Sequence, residues 1–397
     1  MRLVISLALL LSALGRAQAA PLTAGEAVAM AFRNRNSVRA AEFRVRQAIA
    51  SRSALGAPLP TRLEFGAGSL PDVSGGEDLL LAQPLDIFGR SSAGRASGNA
   101  ALAAARAALR QTKLDLQGEV LTAFAEAQSA QALVQTGQSI FDIADKVYAA
   151  TKRRADQGDL PPAQLLRADL DRERARQTIE VRRRSLAAAV IRLAGSLGVA
   201  ASSLDILDSA PVPLPTAATG IETRPDLQQL QSDVANARAE IRQGRLTGLP
   251  DVELQFRRSP WSTPEQYGAR LQVVMPLWDW GASRNRVRAA QQGERAAKAL
   301  LADRQAIAQS EIASAQADYD AATATLASFE RLAADARTLL EKEQRGFDLG
   351  ASTLLDVLDA TRALRDIEEG VVNARLSLAQ AATRLMTTTG TIVGETK

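Results

Sequence analysis

The 397-residue sequence contains no cysteine and no histidine. No disulfide framework, Cys/His zinc site, Ser-His-Asp relay or Cys-His relay can therefore be built from it. An enzyme of this composition would have to work through carboxylates, lysine, tyrosine or a bound hard cation. Aromatic residues make up only 4%, although they supply much of the burial in globular cores. Charge of one sign is not in excess: the formal net charge is +4. The basic run Arg182-Arg183-Arg184 sits in a helical pattern with acids on either side and no aromatic platform, so it reads as a solvated helix face and not as a nucleic-acid patch. What is plentiful is alanine, about one residue in five. An alanine-rich, aromatic-poor chain is the composition of long packed helices.

Long hydrophobic runs are also missing, except for a short one at the start. Met1-Arg2 is a basic n-region, Leu3 to Leu14 is apolar, and Ala17-Gln18-Ala19 matches a small-x-small cleavage site. Residues 1–19 read as a secretory signal peptide. The apolar run is too short for a transmembrane helix, and without cysteine at the cleavage point there is no lipoprotein anchor. An exported chain with no apolar helix could enter a membrane only through strands.

The fifteen prolines are unevenly placed. None lies between Pro84 and Pro161, between Pro162 and Pro211, or after Pro276. Proline breaks helix interiors, so these windows are where helix is allowed. Within them apolar residues recur every seven positions: Leu133, Ile140 and Val147; Val134, Phe141 and Tyr148; Leu364, Val371, Leu378 and Leu385. These are coiled-coil-like seams. The windows from Ser91 to Gln157 and from Ala282 to Leu349 each predict a helix about 100 Å long at 1.5 Å per residue. Gly158 and Gly350 end them, and return helices follow at about 162–198 and 353–386.

Two regions read as strand hairpins instead. Val252, Leu254 and Phe256 alternate with polar residues, as do Ala269, Leu271, Val273 and Met275, across a Pro/Ser/Thr loop at 259–264. A weaker counterpart has Leu63, Phe65 and Ala67, a loop at 70–78, and Leu79 to Gln83.

The chain is a tandem duplication. Pro84-Leu85-Asp86-Ile87-Phe88-Gly89 recurs as Pro276-Leu277-Trp278-Asp279-Trp280-Gly281, 192 residues later. Gly158/Gly350, Arg153/Arg345, Leu166/Leu358 and Ala168/Ala360 share that offset. The expected organisation is a first repeat over 20–208, a linker over 209–224, a second repeat over 225–390 and a tail over 391–397. The fold class is mainly α with a small β part. Four amphipathic strands cannot close a barrel, and open strand edges are prohibitive in lipid. Several chains must pool their strands, and three would give twelve. Trp278, Trp280 and Phe88 lie just beyond the strands, where an interfacial aromatic girdle belongs; packing at a domain junction is the other reading.

At this point the residues resemble the TolC-like outer-membrane efflux proteins over nearly the whole mature chain. The most specific piece is Gly350-Ala351-Ser352-Thr353-Leu354-Leu355-Asp356-Val357-Leu358-Asp359-Ala360. Gly158 to Ala168 is its looser first-half counterpart. The resemblance implies a homotrimer with a 12-stranded outer-membrane β-barrel continued by an α-barrel of long helical hairpins. It implies a passive exit duct in outer-membrane lipid that docks to a periplasmic adaptor (membrane fusion) protein and an inner-membrane pump of the RND or ABC type. No cofactor is expected. In the family, aspartates at the positions of Asp356 and Asp359 face the lumen at the periplasmic entrance and favour cations. N-terminal helix capping after Ser352 or Thr353 is the plainer role for them. The tyrosine and arginine that tie the entrance shut in better-known members are Phe347 and Ser352 here, and their aspartate partner is Gln164. A closed state would then rest on packing or on Asp348 and Asp159. The tip turns, with Gly158, Asp159 and Gly350, are the expected adaptor-docking sites. The short linker weakly resembles the heavy-metal-efflux branch. The competing readings are a periplasmic adaptor, which would carry one hairpin between β-rich domains; a coiled-coil structural protein of the envelope, which leaves the strands unexplained; and a hydrolase using Asp356 and Asp359, for which no pocket is foreseeable.

Overall fold

A computed structural model describes residues 22–70, 73–203, 221–259, 266–275 and 277–393. The signal-peptide reading and most of the linker reading fall outside these residues. The elements run α1 (Ala24–Asn34), α2 (Asn36–Leu55), β1 (Arg62–Leu70), β2 (Val73–Leu85), α3 (Arg90–Asp156), α4 (Pro162–Leu197), α5 (Pro225–Leu246), β3 (Asp251–Ser259), β4 (Gln266–Val274), α6 (Ala282–Asp348) and α7 (Leu354–Thr389). Helices α3 and α6 are each 67 residues long, and α4 and α7 are each 36. Both pairs start 192 positions apart.

The strands form one antiparallel sheet in the order β1-β2-β3-β4. The register sets Leu63 opposite Leu81, Leu81 opposite Phe256, and Phe256 opposite Ala269. Period-two alternation then puts Leu63, Phe65, Leu81, Leu85, Leu254, Phe256, Leu271 and Val273 on one face. That face is bare: Phe65 is 74% exposed. The other face is polar. Arg62 pairs with Glu253, and Arg270 Nε donates to Gln255 Oε1 at 2.8 Å. One expectation fails here. The loop expected at 70–78 is largely strand, because β2 already starts at Val73. Gly75, Gly76, Glu77 and Asp78 have poor strand propensity, but pairing with β1 overrides it.

The turns from strand into long helix are built alike. Gly89 and Gly281 both have φ +79, a left-handed conformation that glycine adopts without a Cβ penalty. Beside them Asp86 accepts from the Arg90 and Ser91 amides at 2.6 and 2.8 Å, and Asp279 accepts from the Gly281 and Ser283 amides at 2.9 and 3.0 Å. Each carboxylate takes donors that the first helical turn would otherwise leave orphaned. Trp280, at φ +52, carries real backbone strain.

By contacts the chain divides into two compact units that cut across both repeats. One contains residues 1–36, 113–220 and 310–397; the other contains 37–112 and 221–309. In the first, Ile140, Val147, Phe347, Leu354, Val357 and Leu364 belong to one core cluster, so residues of α3, α6 and α7 share it. The expected seams supply several of these. Buried Gln117 fastens the C-terminal segment at two points: its Nε2 donates to the Thr391 carbonyl at 2.9 Å and its Oε1 accepts from the Val393 amide at 2.8 Å. In the second unit, the sheet is accompanied by α2, α5 and the adjoining ends of the long helices. Asp226 sits between Arg224 Nη2 at 2.8 Å and Arg304 Nε at 2.7 Å.

Candidate functional site: the tip turns

The two tip turns share a backbone and differ in their side chains. Gly158 has φ +83 and Gly350 has φ +76. The Asp159 amide donates to the Arg154 carbonyl at 2.9 Å, and the Ala351 amide donates to the Gly346 carbonyl at 2.7 Å. Both are six-to-one bonds that close a long helix over a left-handed residue. The return helices start differently. α4 begins with Pro161 and Pro162 and has no side-chain cap. α7 begins with a full capping box. Thr353 Oγ1 accepts from the Asp356 amide at 3.3 Å, and Asp356 Oδ2 accepts from the Thr353 amide at 2.9 Å and from its hydroxyl at 2.6 Å. The Thr353 hydroxyl and amide hold the Asp356 carboxyl below its ordinary range, so it is an anion throughout the neutral range.

Asp359 lies one turn on, exposed like Asp356. It is bound to Arg362, whose Nη1 lies 2.9 Å from Asp359 Oδ1 and whose Nη2 lies 3.3 Å from Asp171 Oδ2 on α4. Arg174 Nη1 approaches the same Asp171 at 3.6 Å. The structure thus joins the two return helices by a carboxylate–arginine–carboxylate bridge. Asp359 and Arg362, three apart on one helix, were readable as a pair in the sequence. Asp171, 191 residues away, was not.

The remaining expected entrance residues are scattered. Phe347 is 3% exposed and belongs to the core cluster. Arg154 lies over its ring at 4.8 Å and donates from Nη1 to its carbonyl at 3.0 Å. Gln164 is half-buried, while Asp159 and Asp348 are exposed with no ion pair among the described residues. Ser352 is half-buried against Gly346, where any Cβ would collide with its hydroxyl. Trp278 and Trp280 are strongly exposed, Trp280 at 95%, and Phe88 is partly so. Among the described residues no cluster of three or more His, Cys, Asp or Glu is placed to hold a metal ion, and no helix is long and apolar enough to cross a membrane.

A family model described as outer membrane efflux protein matches residues 27–199 and 219–391, one match in each half. The chain belongs to the outer membrane efflux protein family. Among its relatives, the pyoverdine export outer membrane protein OpmQ of Pseudomonas putida is 24% identical over 404 residues, covering 90% of this chain and 83% of that protein. The outer membrane protein TolC of Vibrio cholerae is 35% identical over 75 residues, which is 19% of this chain and 17% of TolC. That match concerns a single segment. Among solved structures, the MtrE outer membrane channel of Neisseria gonorrhoeae, determined in its open state, superposes with a TM-score of 0.70 at 19% identity, over 93% of this chain and 89% of that one. The protein is therefore a TolC-like outer-membrane efflux channel. It resides in the outer membrane, with its helices on the periplasmic side. Its family and fold are those of channels rather than of enzymes.

Proposed function

We propose that the chain is the passive exit duct of a tripartite efflux assembly. Three copies pool their sheets into a twelve-stranded barrel, and their long helices continue it as an α-barrel. The observation that carries this reading is the sheet itself. One face is apolar and bare, the other is mainly polar and internally bonded, and among the described residues β1 and β4 each have a neighbour on one side only. Such a sheet satisfies its backbone in lipid only by closing with others of its kind. The polar face then lines water, and Trp278, Trp280 and Phe88 fall at the interface.

At the tips the duct meets a periplasmic adaptor through the turns around Gly158, Asp159 and Gly350, and through the adaptor an inner-membrane pump. No step here requires catalysis. Asp356 and Asp359 supply one ring of carboxylates each in a trimer and favour cations at the entrance. Arg362, bridging Asp359 to Asp171, supplies the tie that Phe347, Ser352 and Gln164 lack the chemistry to make. A closed state is then held by this bridge together with the packing of Phe347, and opening requires breaking the bridge.

The test is membrane fractionation with a native-mass measurement, followed by single-channel recording. A membrane-bound trimer whose cation preference falls about threefold or more when Asp356 and Asp359 both become Asn supports the reading, since each ring removes three negative charges from a confined path. A soluble monomer overturns the duct, and unchanged selectivity overturns the entrance role.

A further inference from the structure

Just below the sheet, the second half carries a group of arginines without an assigned task. Arg242 and Arg245 lie near the end of α5, and Arg284 and Arg288 lie near the start of α6. All four are exposed, and among the described residues none has a carboxylate partner. They share one flank of the helix pair. Arg238 on α5 pairs with Glu294 on α6 at 3.1 Å, and Lys298 pairs with the same carboxylate at 2.7 Å. Arg242 and Arg245 follow Arg238 by four and seven residues, which is one helix face. At 100° per residue, Arg284 and Arg288 fall on the Lys298 side of α6, and Arg286 falls on the opposite side. The helices are in close contact here, since a Cβ on Gly244 would lie 3.3 Å from Val287 Cγ2.

Position along the axis matters as well. Arg284 and Arg288 begin about 3 and 9 Å beyond the start of α6, and a leaflet's headgroup layer is about 6 Å thick. Extended arginine side chains cover that interval by snorkelling. Leu277, Trp278 and Trp280 are exposed immediately before α6, within a few residues of Arg284. The four equivalent positions 192 residues earlier carry no arginine: they are Ala50, Ser53, Ser92 and Ala96.

We propose that this flank binds the headgroup phosphates of anionic phospholipids in the periplasmic leaflet, with Trp278 and Trp280 seated at the acyl boundary. Guanidinium groups pair with phosphate through two parallel donors, and several in one patch select anionic over zwitterionic lipid. The inference rests on the reading of those tryptophans as interfacial and extends it to a lipid class.

The test is native mass spectrometry of the full-length protein in detergent, offered phosphatidylglycerol or phosphatidylcholine at low and high salt. The wild type should retain phosphatidylglycerol at least about fivefold over phosphatidylcholine, and salt should erode the preference. The variant Arg242→Gln/Arg245→Gln/Arg284→Gln/Arg288→Gln should lose it, while Arg286→Gln keeps it. The proposal is overturned if wild type shows no preference or the quadruple variant keeps it. It is also overturned if that variant changes ion selectivity in planar bilayers with lipid retention intact, which would put these arginines on the lumen. A wild type that conducts no ions at all would count against the duct reading instead, so the two failures separate.

Discussion

The first half of the chain and the second fold alike and bind to themselves differently. Where each long helix meets its return helix, one side must give way. In the first half the small residue is Gly137 on α3, facing Ile179 and Arg182 of α4; in the second it is Gly370 on α7, facing Phe329 of α6. Positions 137 and 329 are equivalents, as are 178 and 370, so the glycine has changed helices: Gly137 and Thr178 of the first half stand where the second has Phe329 and Gly370. Asp226 of the second half sits between two guanidiniums where the first half has Asn34, and only the second half's return helix begins with a side-chain cap. The duplication preserved the layout of helices and turns, while side-chain size and chemistry diverged.

The sharpest way to break this comparison is at these two glycines. Gly370→Ala places a Cβ against the Phe329 ring and should cost about 2–3 kcal/mol by denaturant unfolding. Gly137→Ala meets the far end of the Arg182 side chain at 3.1 Å rather than a ring and should cost less than about 1 kcal/mol. Adding Phe329→Leu should recover part of the first loss. Equal costs at the two glycines would mean that the halves pack the same way after all.

A smaller effect is expected at Asp226. Partial burial pushes its carboxyl up, but hydrogen bonds from Arg224 and Arg304 outweigh this and hold it down at about 2. A depressed folded value contributes stability that is complete above the unfolded value, near 3.9, and is lost as pH falls through the folded one. Thermal unfolding should show a loss of about 2 kcal/mol between roughly pH 4 and 2, and Asp226→Asn should remove that dependence. An unchanged acid profile in the variant would deny the cluster its role.

The smallest difference lies at the caps. Thr353→Ala should cost about 1 kcal/mol, whereas Pro161→Ala, which removes no side-chain bond, should stay within about 0.5 kcal/mol. A comparable loss at both would mean that the capping box contributes little to the second tip.

Much of the fold could be read in advance because proline and glycine act locally. The empty proline windows and the glycines at 158 and 350 located both long helices to within a residue at their ends. Hydrophobic alternation located β3 and β4, where side chains report the pleat. β2 was underestimated because Gly75 and Gly76 carry no such report. At the tips, Asp356 and Asp359 were visible as a helical pair. The partner that joins Asp359 to α4 through Arg362 was not, and neither was the burial of Phe347 beneath Arg154. Those contacts join residues more than 190 positions apart, and no local period encodes them.

The two hydrogen bonds of Gln117, to Thr391 and from Val393, have a consequence in time. This clasp joins residues 274 and 276 positions apart, and the same compact unit also contains residues 24–36. Long-range closures are slow because their loop entropy must be paid before any contact rewards it. This clasp is therefore expected to close after the local turns of the helices that it fastens.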